Sequence, residues 1–256
     1  MDWLTPEIGR VLLRGFAYTI ALTAITSITS TAAGIFIGLA RLSGRSSLSR
    51  AARVYIEIFR NIPALVLIIF FAFAVPNLLA PEQRRLFFFD NKLADWLTFF
   101  SGLSLPYYAV AVITALTLNT SAYLAELFRA GVGTIPRQMI DAARSLGATA
   151  GQVTRQIVLP EGIRAAYPAI ATRLIHNMKN TALAAIVAVP EFFHATQTAV
   201  TRTFFALQFL LLAALIYLFL SVVFAGLLHK IELWLQPSVI RPENQQETRF
   251  VQANHV

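Results

Sequence analysis

The chain has 256 residues, of which 57% are hydrophobic and 13% charged, with a net charge of +8 and no cysteine. This balance is far from that of a soluble domain and points to a bilayer protein. It excludes a disulfide framework and thiolate metal sites, and the positive charge must be weighed against membrane topology before nucleic acid is invoked.

In chain order, Gly15 to Ala40, Asn61 to Pro81, Trp96 to Ala125 and Thr203 to Leu228 contain no Asp, Glu, Lys or Arg. Each passes the length of about 20 residues that a spanning helix needs. A fifth stretch, about Pro168 to Val189, includes Arg173, His176 and Lys179, and counts as spanning because Ala182 to Val189 is wholly apolar. The expected fold is therefore an all-α integral membrane protein. Its single transmembrane domain covers 1–240, with spans near 15–40, 61–81, 103–128, 168–189 and 203–228, and a polar tail, 241–256, is expected to be disordered. Leu86 to Phe89 with Trp96 reads as an interfacial anchor.

Lys and Arg are unevenly placed between the spans. Arg41, Arg45, Arg50, Arg53 and Arg60 follow the first span; Arg129, Arg137, Arg144, Arg155 and Arg164 follow the third; and Lys230, Arg241 and Arg249 follow the fifth. The opposite side holds Arg10, Arg14, Arg84, Arg85, Lys92 and Arg202. This asymmetry places the N-terminus outside and the C-terminus in the cytoplasm, and it accounts for much of the charge without nucleic acid.

At about 100° per residue, Arg173, His176, Asn177 and Asn180 share one face of the fourth span with Lys179 on its flank, while Ile170, Leu174, Met178 and Ala185 lie away from it. Charged groups inside a membrane face an interior or a wet cavity, so this face is a candidate substrate pathway. The alternative is that Arg173 and Lys179 snorkel or pair with Glu57 or Glu126. Asn119, Tyr123 and Glu126 recur at i, i+4 and i+7 on one face of the third span. Glu57, next to Asn61 at the start of the second span, is expected to form a structural ion pair with Arg60. His194 and His229 stand alone, without metal-ligand spacing.

Between the third and fourth spans lies a polar segment, 130–165, with an order of its own. Pro136 opens a helix, Gly147 stops it in the left-handed conformation, Thr149 and Gln152 have capping-box spacing, and the second helix is expected to run until Pro160 ends it. This helix-Gly-helix unit carries Asp141, Ala142, Ala143, Arg144, Gly147, Ile157, Leu159 and Pro160. It resembles the coupling loop of permease subunits of binding-protein-dependent ABC importers: Glu-Ala-Ala, three residues, Gly, nine residues, Ile-x-Leu-Pro. Asp141 replaces the glutamate, shortening that carboxylate arm by one methylene.

The likeness to the polar amino-acid branch of that family extends to Tyr55-Ile56-Glu57-Ile58-Phe59-Arg60-Asn61-Ile62-Pro63 and to Asn119 through Glu126 with Arg129, Gly131 and Ile135-Pro136. The resemblance implies a permease subunit of an ATP-driven amino-acid importer in the bacterial plasma membrane. It also implies a cytoplasmic ATPase dimer as partner, a second permease subunit, and an extracellular or periplasmic amino-acid-binding protein. The chain has no Gly-x-x-x-x-Gly-Lys-Ser/Thr phosphate loop, so ATP and Mg are expected on the partner ATPase and no cofactor on this chain. The two membrane cations lean the expected substrate towards neutral or acidic, with compatible solutes and opines open to relatives. A self-sufficient secondary transporter is the competing class; it often shows internal repeats, and none is found.

Overall fold

The computed structural model describes residues 4–88, 95 and 107–235, so Phe89, Trp96 and the tail 241–256 lie outside it. Its described secondary structure is helical throughout. Helix α1, Pro6–Leu42, starts on Thr5, whose hydroxyl accepts the Ile8 N–H, with Pro6 in the first turn, where a missing N–H costs nothing. It begins nine residues before the expected span and takes Arg10 and Arg14 into its first turns.

Helix α2, Ser46–Asn61, follows a short turn tied by the Arg41 guanidinium and carbonyl to the Ser49 hydroxyl. The expected second span, 61–81, is not one helix. The chain breaks at Ile62-Pro63 and re-forms as α3, Ala64–Asn77, bent 101° from α2. A short helix, α4 at Pro81–Phe88, then leads outwards. Helix α5, Tyr107–Val132, is the third span; α6, Arg137–Ser145, carries the first half of the polar segment.

The second half of that segment does not stop at Pro160. It continues as α7, Ala150–Val187, into the fourth span. A wide π-turn at Thr154–Val158 lets the helix pass the proline: the Leu159 N–H reaches back to the Thr154 carbonyl, shifting the ladder where the ring would crowd it. The same device appears at Phe70–Ala74, two residues before Pro76. After a 3₁₀ stretch at Thr181–Val187, the left-handed Ala188 turns the chain into α8, Phe192–Thr203, bent 47° from α7. Helix α8 occupies what the sequence leaves as a connection between spans. Helix α9, Ala206–Leu235, completes the order.

Among the described residues, three helices, α1, α5 and α9, are long and apolar enough to cross a membrane, and the bent pairs α2–α3 and α7–α8 raise the number to as many as five. Helix α5 is the hub, its mid-section from Ala109 to Leu116 buried against Leu22, Ile68, Val187 and Val189. Close approach of α1 to α5 depends on Gly34 and Gly38. A Cβ at Gly34 would lie 2.7 Å from that of Leu124, and one at Gly38 would lie 2.6 Å from Phe128 Cδ1. Without a hydrophobic force between helices in lipid, such small-residue contacts carry the packing.

Gly34→Val should therefore force α1 off α5, an overpacking cost of about 1–3 kcal/mol, read as a lowered melting temperature of the purified protein. Gly226→Val, at a site with nothing within 4 Å, should leave it unchanged.

Candidate functional site

The break between α2 and α3 creates orphan carbonyls, and two side chains of α5 satisfy them. Phe59 would normally accept from residue 63, but Pro63 has no N–H. Instead the Asn119 amide donates to the Phe59 and Ile62 carbonyls at 2.7 and 3.2 Å. The Tyr123 hydroxyl donates to the Arg60 carbonyl at 2.9 Å, and Tyr55 donates to the Leu118 carbonyl at 3.2 Å from the other side. Asn119 uses its remaining oxygen to accept from Arg173 Nη2 at 2.6 Å. The Arg173 guanidinium lies 3.7 Å from the centroid of the Tyr123 ring, and Arg60 lies 5.3 Å from the same ring. Three residues singled out from sequence, Asn119, Tyr123 and Arg173, thus form one assembly at the bend.

The fourth-span face is shifted from its expected position. Thr172, His176 and Lys179 are exposed and Arg173 and Asn180 are half-buried, but Asn177 is completely buried. Asn177 donates to Thr26 on α1 at 2.8 Å and accepts from Thr120 on α5 at 2.9 Å, which makes it a polar pin among three helices. The boundary of the buried sector runs through Arg173 and Asn180, and Asn177 falls about 40° to its inner side. Lys179 turns the other way, into a cavity of about 590 Å³ that it shares with Phe193, Gln197, Tyr217 and Ser221 of α8 and α9.

Glu57, Arg60 and Glu126 line a second, polar cleft of about 460 Å³ with Arg41, Arg53 and Arg129. Glu57 and Arg60 do not form the expected ion pair. Glu126 instead takes a forked contact from Arg129, Nε at 3.1 and 3.0 Å and Nη2 at 2.6 Å. Asn61 is exposed, its amide folded back on the Glu57 carbonyl at 2.8 Å.

Glu191 is a functional candidate that the sequence reading passed over. It is wholly buried, and its carboxylate accepts from the Phe193 and His194 amides at 2.8 and 2.7 Å, from Tyr217 at 2.7 Å and from Thr19 at 3.4 Å. It thereby caps α8 and ties it to α1 and α9. The available signal was an acid after Val189-Pro190 and before a fresh helical run, an N-cap pattern.

At the far end, α6 leaves the body of the protein with no buried residue, Met139 being 47% and Leu146 89% exposed. Its end is a Schellman closure: Gly147 at φ 86°, the Ala148 N–H on the Ala143 carbonyl at 3.0 Å and the Gly147 N–H on the Arg144 carbonyl at 2.9 Å. Thr149 and Gln152 then form the expected capping box. Asp141, Ala142 and Arg144 are exposed on this helix, Ala143 is half-buried, and Ile157, Leu159 and Pro160 lie half-buried on the first turns of α7.

The sequence and the fold resemble those of known proteins. The family of binding-protein-dependent transport system inner membrane components matches residues 30–236, and the chain belongs to that family. Among its relatives, a probable glutamine ABC transporter permease protein of Bacillus subtilis is 34% identical over 79% of this chain and 84% of its own. A probable amino-acid ABC transporter permease protein of the same organism is 30% identical over 80% of each. The fold is that of a crystal structure of an amino acid ABC transporter with histidines, at a TM-score of 0.68 and 24% identity, covering 88% of this chain and 94% of that one. The protein is a multi-pass membrane permease.

Replacing Asn119 with leucine should strand two carbonyls and the Arg173 guanidinium together. Each unsatisfied buried group costs about 1–3 kcal/mol, so Asn119→Leu should lower the melting temperature more than Asn61→Leu, whose amide is exposed. Equal melting temperatures would contradict the pinning role.

Proposed function

We propose that this chain forms half of the translocation path of an ATP-driven importer of polar amino acids in the bacterial plasma membrane. The observation that carries the reading is the exposed polar face of α7, with Thr172, Arg173, His176, Lys179 and Asn180 on a helix of a membrane protein. Such a face is expensive against lipid and is accommodated by water, solute or a second permease subunit. Transport by an isolated five-span chain would leave it uncovered, which favours a dimer enclosing a shared cavity.

Energy enters through α6. Its exposed apolar residues, its lack of any buried residue among the described residues and its match to the coupling-loop pattern support docking on a separate cytoplasmic ATPase that holds ATP and Mg. The orientation that serves this puts α6 in the cytoplasm and the Glu7–Arg202 ion pair outside. Substrate would arrive from an extracellular or periplasmic binding protein. Family membership favours this over a self-sufficient secondary carrier, and the names of the relatives support an amino acid.

Gly147→Val tests the coupling assignment. A β-branched residue at φ 86° is strained by on the order of 1 kcal/mol or more, with no steric clash to confuse the result, since nothing lies within 4 Å. The variant should insert normally yet lose most substrate-stimulated ATP hydrolysis and uptake in the assembled transporter. Wild-type rates would rule out α6 as the docking element.

A further inference from the structure

We propose that Arg60 and Arg173, both set over the ring of Tyr123, form one carboxylate-recognition site, and that the solute it selects carries a carboxylate and no net positive charge. The inference deepens the proposed function and rests on it. The two guanidinium carbons lie 5.3 and 3.7 Å from one ring centroid, which puts them within about 9 Å of each other. Among the described residues, neither has an acidic partner. The Arg173 side chain bonds to the neutral Asn119 oxygen, its Nε is buried without an acceptor, and no ion pair reaches Arg60.

Two like charges held this close, at low dielectric and without an acid between them, repel. The Arg173 guanidinium and the Arg60 backbone are nevertheless held in place. Tyr123 is tied to the Arg60 carbonyl, and Asn119 holds Arg173 while pinning the bend at Phe59 and Ile62. Three elements, α2, α5 and α7, thus hold a pair of planar forks ready for an anion, and both side chains are only half-buried. A guanidinium held over a ring keeps N–H groups for other acceptors, and these match the two oxygens of a carboxylate. The surroundings favour the same charge: His176 stands on the adjoining face of α7, and the cleft that Arg60 lines holds three further arginines against two glutamates. A solute with an extra cation would meet repulsion at each of these points.

The competing occupant of the two forks is a carboxylate of the second permease subunit. The test therefore uses the permease–ATPase complex in nanodiscs with the binding protein omitted, so that recognition upstream does not contribute. Ligand-observed NMR is run with L-glutamate, L-glutamine and the α-carboxamide of L-glutamine as probes. Wild-type complex should bind the first two and discriminate against the carboxamide. Arg60→Gln and Arg173→Gln should each weaken binding at least tenfold and erase the discrimination, Arg60→Lys and Arg173→Lys should restore part of it, and yield, melting temperature and dimer assembly should hold.

The site is refuted if the carboxamide binds as well as the acids, if wild type binds neither acid, or if both Gln variants bind like wild type. Dissociation of the permease dimer in either variant also overturns it, assigning the guanidiniums to the partner copy. Uptake into proteoliposomes by the wild-type transporter with its binding protein separates the two levels: failure to import any amino acid defeats the proposed function, whereas import that both Gln variants retain defeats this site alone.

Discussion

The constraint on which this structure turns is that a backbone in lipid must satisfy its own polar groups. An unbroken helix does so automatically, and α1, α5 and α9 are such helices. The other two crossings are broken, and each break is repaired by side chains from neighbouring helices. At Ile62-Pro63 the repair comes from Asn119 and Tyr123. At Val189-Pro190 it comes from Glu191, which caps the restarted helix while Thr19 and Tyr217 hold the cap in place. These residues are polar because the chain bends where they sit. The groups that remain after the bends are satisfied, chiefly the arginines around Tyr123 and the polar face of α7, are the ones to which the proposed function assigns the solute.

Continuity of α7 gives the polar face a mechanical meaning. The capping box at Thr149 and the polar stretch from Thr172 to Asn180 belong to one helical rod of roughly 50–60 Å at 1.5 Å per residue. In the proposed coupling, a displacement of α6 would be passed to that face along the rod, which is interrupted by the π-turn at Thr154–Val158 and by Pro168. Glycines between α6 and that face, Gly131 and Gly162, let α5 and α7 cross with almost no clearance: a Cβ on Gly131 would sit 2.7 Å from the Gly162 carbonyl.

Signals confined to a few neighbouring residues were legible in the sequence. The apolar runs, the Gly147 closure and the Thr149–Gln152 box need no information from elsewhere in the chain. Features that depend on a distant partner were not. Pro160 reads as a stop unless the π-turn before it is known, and the 61–81 run reads as one span because hydropathy does not register a bend whose carbonyls are satisfied by residues some 60 positions away. Asn177 was placed with its polar neighbours because an ideal wheel gives angles without saying where the buried sector begins; Thr26 and Thr120 decide that. Glu191 lay between two spans, where an isolated acid looks like a loop residue until Tyr217 and Thr19 are seen converging on it.

Accessibility along α7 tests the central claim that its Thr172–Asn180 face is wet. The chain is free of cysteine, so single cysteines can be introduced at Thr172, His176, Lys179, Leu174 and Met178 in the assembled transporter and labelled in membranes with a water-soluble maleimide. Strong labelling at the first three positions, none at Leu174 and Met178, and protection of the first three by saturating substrate are the predicted pattern. Uniformly absent labelling at Thr172, His176 and Lys179, with or without substrate, would mean that lipid or a dry protein interface covers this face and that the translocation path runs elsewhere.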